Sequence, residues 1–560
     1  MPLSILKKIM FATIHPFFLA LYPVLFLYAH NINQVFFREI LLSTGIVLVS
    51  TLVLVLLLII TLRNHRKAGI IASALLVPFF AYGHLITYDP GHAFKTTVAP
   101  ICMLGIFLIG IAYAVVRTKS DLRNTTFIIN IVSLVLVSMP TANILYYQLS
   151  TTKYLIVNES SESLASDNMN SYKPEKLPDI YYIIFDRYAS PNTLKDHYGF
   201  DNSEFLSFLE KKGFYVAYKS RANYVKTAHS LASSLNMKYV NYLNKEFGGK
   251  SEDWKPLYLM LTDYVVWRFL KERGYKYIHF GSWWTPTHKN QNADLNFNFG
   301  SWWNHGDKKK YADLNSSVDS IFKLDQLFIE FPIEFYRHTL IYQLSMIFTD
   351  YENIEATDEQ SDIKKVLGDR RLAARARILY KFNRLVEIPK LKSPTFVFAH
   401  MLIPHEPYVF NKDGSFPSKQ ELKSRGRDEN YINQLIYTNT KIQELVNKLL
   451  SKSKEKPIII IQSDEGPFPE RYHINAKHFK WEKATKKELR QKMGVLNAYY
   501  LPNVEKSLLY PSITPVNTFR LIFNLYFNTN FELLPDKSFV FEDEQHIYNM
   551  IDVTERLDYD

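Results

Sequence analysis

The chain has 560 residues, 47% of them hydrophobic, with 66 Lys and Arg against 55 Asp and Glu, a net charge of +11 and a single cysteine. That length accommodates several domains and a core large enough to need no covalent staples. Cys102 alone excludes an intramolecular disulfide; the soluble part has no Walker A loop and no G-x-S-x-G elbow, and the basic excess suits anionic lipid head groups rather than nucleic acid.

Five apolar stretches open the chain, about Ile9 to Tyr28, Ile40 to Leu62, Ala68 to Tyr88, Val98 to Val116 and Phe127 to Leu149. Each approaches the ~20 residues that cross a bilayer, and none has the polar face of a globular-core helix. Lys7 and Lys8, then Arg63, Arg66 and Lys67, then Arg117, Lys119 and Arg123 lie on alternate connections. The positive-inside rule makes these cytoplasmic. Residues 1–150 therefore read as a five-helix transmembrane domain of a multi-pass cell-membrane protein, with everything after Ser150 outside the cytoplasm. Four further spans make a cleaved signal peptide a poor fit to the first. Residues 151–177 are rich in Ser, Asn and Glu and read as a linker, and 178–560 as an exported α/β domain.

That domain opens on PDIYYIIFDRYAS, Pro178 to Ser190, an apolar strand that delivers Asp186 at its end. Phe205, Leu206, Phe208 and Leu209 then share one side of a helix over Asn202 to Lys212, with Gly213 placed to end it. From Thr227 onward Ala228, Leu231, Ala232 and Leu235 repeat at helical intervals. Thr227 thus stands at or near a helix start, a setting that suits a plain N-cap and equally a hydroxyl that carries a phosphoryl group.

Asp263 to Phe280 reads as a helix stopped near Gly274 and followed by a strand. It leads into a stretch with Trp283, Trp284, Trp302 and Trp303 among many amides, either a surface for polar ligands or a lid over the core. Asp350 to Arg377 is charged, a helical and partly surface excursion. TFVFAHMLIPHEPY, Thr395 to Tyr408, reads as a third buried strand ending in a loop that carries His400 and His405, structural or part of a site.

Glu429 to Leu450 is an amphipathic helix, and it precedes KPIIIIQSDEGP, Lys456 to Pro467. The four isoleucines make a strand buried on both faces, and Asp464 and Glu465 emerge at its carboxyl end, where open α/β sheets hold ligands. Two strands therefore deliver acid to one edge, where a cation can be held. Strand–helix alternation predicts a largely parallel sheet.

These motifs resemble the alkaline phosphatase and sulfatase superfamily, most closely its membrane-anchored branch of lipoteichoic acid synthases and phosphoethanolamine transferases. The resemblance spans roughly Pro178 to Asp536. It rests on the strand ending in Asp186, T-x-x-S-L from Thr227, H-x-P-Y from His405, S-D-x-G around Asp464, and the stretches GVLNAYYLP from Gly494 and PVNTFRLIFNLYF from Pro515.

The resemblance implies an alkaline-phosphatase-like fold and a phosphotransferase that moves a phospholipid head group to an exported glycan or lipid through a phosphothreonine. A phosphodiesterase or phosphatase, or a degenerate binding protein, are the alternatives. It implies that Asp186, Thr227, Asp464 and Glu465 hold one divalent metal, with Thr227 as nucleophile and His405 against the substrate. Arg187, His400, Trp283 and Trp284 are further substrate-contact candidates. Two positions depart from the family pattern: Glu465 stands where histidine is common, and Arg187 where two-metal members have a second acid. The first makes the expected ligand set all oxygen, favouring Mn, Mg or Ca over Zn; the second argues for one metal and makes Arg187 a fixed cation for phosphate. A formylglycine sulfatase is excluded, because no C/S-x-P-x-R motif follows the first strand.

Overall fold

The computed structural model describes residues 12–87, 99–150, 177–297, 330–342, 344, 370–392 and 394–558. Lys7 and Lys8, residues 88–98, nearly all of the 151–177 linker, Trp302, Trp303 and residues 350–369 lie outside the described residues. The chain divides into two units, one built on residues 1–152 and 319–354 and the other on 153–318 and 355–560.

Among the described residues the first unit has five long helices: α1 (His15–His30), α2 (Phe37–Leu62), α3 (His65–Thr87), α4 (Ala99–Arg117) and α5 (Arg123–Ser150). Phe37–Leu62 and Arg123–Leu149 are each long and apolar enough to cross a membrane. The basic connections after α2 and after α4 meet at one end. There Arg66 pairs with Asp121 at 2.6 Å, and Lys67 Nζ donates to the Val116 and Thr118 carbonyls. A further helix from the middle of the sequence, Glu330–Arg337, packs in this unit, its Phe331 and Phe335 joining the apolar cluster that holds Phe80. It lies within the stretch expected to be exported domain; an amphipathic helix finds its partner by apolar face, and sequence position does not restrict which face that is.

The second unit is organised on a seven-stranded sheet. Its strands are β1 (Ile180–Phe185), β2 (Tyr215–Val216), β3 (Lys276–Phe280), β4 (Leu295–Phe297), β5 (Thr395–Met401), β6 (Ile458–Gln462) and β7 (Asn497–Tyr500), in the order β2-β7-β6-β1-β5-β3-β4. β6, β1, β5, β3 and β4 run parallel, and β7 and β2 close one side antiparallel. β1 is central, every residue of its IYYIIF buried, because helices cover both faces. Tyr181, Ile183 and Phe185 face the helices Arg370–Leu385 and Lys419–Lys452, while Tyr182 meets Phe519 of the helix Thr518–Phe527 on the other side. The Arg370–Leu385 helix buries Leu372, Ala373 and Ala374, so the last residues of the charged stretch pack in the core, and Ile378, Phe382 and Leu385 continue that buried face.

Two glycines shape the site end of the sheet. Gly426, at φ +75°, breaks Lys419–Lys452 into two segments, a conformation that costs a residue with a Cβ. Gly466 donates its amide to the Lys492 carbonyl at 2.8 Å. A Cβ there would stand 2.4 Å from the Gln491 carbonyl oxygen and 2.8 Å from that of Lys492. Gly466→Ala should therefore destabilise the protein by about 1–3 kcal/mol, read as a lowered unfolding midpoint of the detergent-solubilised chain; an unchanged midpoint would contradict this packing.

Candidate functional site

Three adjacent parallel strands carry acid and imidazole to one edge. In register, Ile184 of β1 lies opposite His400 of β5 and Gln462 of β6, so Asp186 and Asp464 follow at neighbouring strand ends with His400 beside them. Ligand atoms of Asp186, His400 and Asp464 all lie within 4.8 Å of one another, and all three residues are buried. Asp186 Oδ1, both oxygens of Asp464 and His400 Nε2 have no hydrogen bond of full geometry. Buried polar atoms left this way are costly, and a divalent cation satisfies them. Burial, then the Glu465 charge, pushes Asp186 up to about 7, and burial, then the charges of Asp186 and Glu465, pushes Asp464 up to about 8.

His400 is prepared as a neutral donor. Burial pulls its imidazole down to about 4, and Nδ1 is hydrogen-bonded to Thr287 Oγ1 at 3.0 Å, leaving Nε2 3.7 Å from Asp186 Oδ2. A second partner on the outer nitrogen is what orients a metal-ligating histidine. His400 lies within β5, not in the loop expected to carry it. The cluster offers one nitrogen and two carboxylates where the expected set was all oxygen, and such a mixture carries no preference against Zn.

Glu465 is not one of the three. Its Oε1 lies 2.8 Å from Lys492 Nζ and 3.5 Å from Arg187 Nε, so one oxygen of the third expected carboxylate ligand is held by cations of the chain itself, while Oε2 is buried without a hydrogen bond.

Thr227 is the first residue of the helix Thr227–Leu235. Lys226, extended at φ −136°, is the N-cap and makes no side-chain capping bond, so the plain-cap alternative for Thr227 does not hold. Instead its side chain faces Asp464 and favours that carboxyl's charged form. His405 Nε2 stands 3.9 Å from Asp186 Oδ2, with Nδ1 bonded to the Glu406 carbonyl. Burial, then the Arg187 charge, holds His405 well below its ordinary value, so it is neutral. Trp284 packs edge-on against His400 with ring centres 6.0 Å apart; Trp283, beside it, is half-buried.

Arg187 is paired with Glu406 at 3.3 Å and lies over the Phe468 ring at 4.6 Å. With Tyr198, His405, Tyr408, Arg427 and Phe468 it lines a cleft of about 450 Å³ beside the carboxylate cluster.

Sequence reasoning passed over Lys381, Lys492 and Thr287. Lys381 donates Nζ to the His400 carbonyl and Lys492 to the Gly466 carbonyl; burial pulls both ammonium groups down to about 7. A signal existed: Lys381 shares the i, i+3, i+4 face with Ile378, Phe382 and Leu385, and Lys492 with Leu489 and Met493. A lysine on an otherwise buried face needs a partner. Thr287 carried none, since threonine in a loop is common.

The Sulfatase family model matches residues 178–492. No curated protein sequence matches the chain. Among solved structures, the C-terminal periplasmic domain of EcEptC from Escherichia coli, in complex with Zn, is similar at 11% identity over 69% of this chain and 95% of that one, with a TM-score of 0.40. The integral membrane lipooligosaccharide phosphoethanolamine transferase A of Neisseria meningitidis is similar at 10% identity over 92% and 95%, TM-score 0.37. The lipoteichoic acid synthase LtaP of Listeria monocytogenes is similar at 13% identity over 70% and 81%, TM-score 0.34.

The raised carboxyls set a pH dependence. Below about 7 to 8 the Asp186 and Asp464 carboxyls hold protons that a cation must displace, so binding strengthens as pH rises. The apparent affinity for Mn²⁺ should rise at least about tenfold per pH unit from 6 to 8 and then level, with proton release seen as buffer-dependent calorimetric enthalpy. A flat profile would count against a cation at this cluster.

Proposed function

We propose, from the premise that this chain belongs to the Sulfatase family and is an enzyme of that superfamily, that it is a membrane-anchored, metal-dependent phosphotransferase. Its donor is a phospholipid head group of phosphoglycerol or phosphoethanolamine type, and its acceptor an exported glycan or lipid. The observation that carries the reading is the convergence of Thr227 with Asp464, and of Asp464 with Asp186 and His400, from three strand ends and a helix start.

In this reading Asp186, His400 and Asp464 hold one divalent ion, with the Thr227 hydroxyl beside it; the mixed nitrogen and oxygen donors suit Mn²⁺ or Zn²⁺ better than Mg²⁺ or Ca²⁺. A bound ion supplies Lewis acidity, making a threonine hydroxyl competent at neutral pH and offsetting phosphoryl charge. The chain does the rest. Thr227 Oγ1 attacks the donor phosphorus, its proton passes to the Asp464 oxygen it faces, and the bond to the lipid alcohol breaks as that alcohol takes the proton. The phosphothreonine is then resolved in reverse by the acceptor hydroxyl, which His405 Nε2 orients by accepting its hydrogen bond. Arg187, always charged, holds a phosphoryl oxygen from the cleft side. Thr227 stands at a helix N-terminus, where free amides and the dipole favour a phosphorylated side chain.

Membrane anchoring is part of the proposal. All five apolar helices cross the bilayer, the two basic connections that meet through Arg66 and Asp121 facing the cytoplasm. Tethering keeps the catalytic unit at high local concentration with lipid donors.

With head-group-labelled phospholipid, wild-type protein should transfer label to an acceptor and yield a phosphorylated Thr227 peptide after acid quench. Thr227→Ala should lose at least about a thousandfold in turnover while still binding Mn²⁺, and Thr227→Ser should keep part of it. Undiminished transfer by folded Thr227→Ala would refute the mechanism; label released free in place of transfer would make the protein a hydrolase.

A further inference from the structure

We propose that Glu465, rather than joining the cation's ligands, is a positioning residue that works with Lys492 to hold Arg187 rigidly as the site's phosphoryl-binding cation. This rests on the reading above that the site handles phosphoryl groups.

The residue after a metal-binding aspartate on this strand end has two ways to face. Glu465 lies outside the Asp186, His400 and Asp464 set and gives its Oε1 to Lys492, whose side chain is fully buried, and the same oxygen to Arg187, while Oε2 is buried without a hydrogen bond. Lys492 is itself fixed at three points. Its carbonyl accepts from the Gly466 amide, its Nζ donates to the Gly466 carbonyl at 2.8 Å, and the ammonium lies 3.3 Å from the centre of the Phe468 ring. The glutamate is thus clamped by an element that cannot move without opening the strand end.

Arg187 is held as closely. Its backbone is in the left-handed region at φ +63°, a strained conformation for a residue with a side chain. Tyr431 Oη donates to its carbonyl at 2.9 Å, Phe468 lies under the guanidinium, and Glu465 and Glu406 contact two of its nitrogens. Free arginine loses much rotamer freedom when it grips an anion; one already fixed loses little. A neutral histidine at position 465 would leave Lys492 and Arg187 without this shared anion. Glutamate supplies it, and Arg187 supplies a fixed positive charge beside Asp186 on the cleft wall.

The test is a double-mutant cycle on the full-length protein in detergent, with calorimetry for Mn²⁺ and, separately, for inorganic phosphate. Glu465→Gln should bind Mn²⁺ as wild type does but lose about tenfold in phosphate affinity, as Arg187→Gln does. Glu465→Gln combined with Arg187→Gln should lose no more than Arg187→Gln alone. A merely structural pair would not spare the metal and spend its whole effect through one arginine. The proposal is overturned if Glu465→Gln weakens Mn²⁺ binding, if phosphate affinity is unchanged, or if the two losses add. Should Glu465→Gln fail to fold because Lys492 is left uncompensated, Glu465→Gln with Lys492→Met removes both charges and carries the same expectations. Wild-type protein that binds no Mn²⁺ would remove the metal reading, while the phosphate cycle, run without metal, still decides for or against the anchor.

Discussion

Two buried carboxyl groups at neighbouring strand ends, with Asp186 Oδ1 and both Asp464 oxygens lacking a hydrogen bond of full geometry, are the constraint around which the catalytic unit is built. Asp186 and Asp464 end neighbouring parallel strands, where the register leaves no freedom to separate them. Like charges at that depth are untenable unless protons or cations compensate them. The surroundings answer that demand in layers. Lys381 and Lys492 approach from two helices, Arg187 follows Asp186 directly, and His400 presents a neutral nitrogen in place of a third charge.

Phe468 ties the cationic layer together. Its ring lies within reach of Arg187, Lys492 and Lys226, three cations from three parts of the chain. Each is also paired with a carboxylate, Glu406 or Glu465 for the first two and Glu544 for Lys226. An aromatic face accepts such charges without a covalent or hydrogen-bonded commitment, so the positive groups are crowded together yet individually satisfied. Lys226 has a further consequence, since it is the N-cap of the helix that Thr227 begins. Fixing its side chain against Tyr472 and Glu544 fixes where that helix starts.

Much of this was legible beforehand because it depends on local pattern. IYYIIF and IIII announce doubly covered strands by composition alone, and an acid after each follows from counting. The helix at Thr227 was readable from its apolar spacing, whereas its role required knowing that Lys226, and not Thr227, closes the end. What pattern does not carry is which way a side chain turns once two strands are adjacent. Glu465 and Asp464 are neighbours in sequence, yet one faces the cluster and the other a lysine 27 positions later. His400 gave no hint that it would face Asp186, because its position within β5 depends on pairing with β1. The partner of the Glu330–Arg337 helix could not be read from the sequence for a related reason, its apolar face being met by residues some 250 positions earlier.

The pairing of β1 also governs how the catalytic unit comes into being. Ile180 lies in register opposite Phe396 on one side and Ile458 on the other, so the first-made strand acquires both neighbours only after more than half of the unit has been synthesised. Until then a six-residue, uncharged, β-prone ribbon has every backbone amide and carbonyl unclaimed, the composition that seeds intermolecular stacking. Assembly is consequently a late, long-range closure and slow by topology, which leaves the nascent chain dependent on shielding of that ribbon during the interval before β5 and β6 arrive.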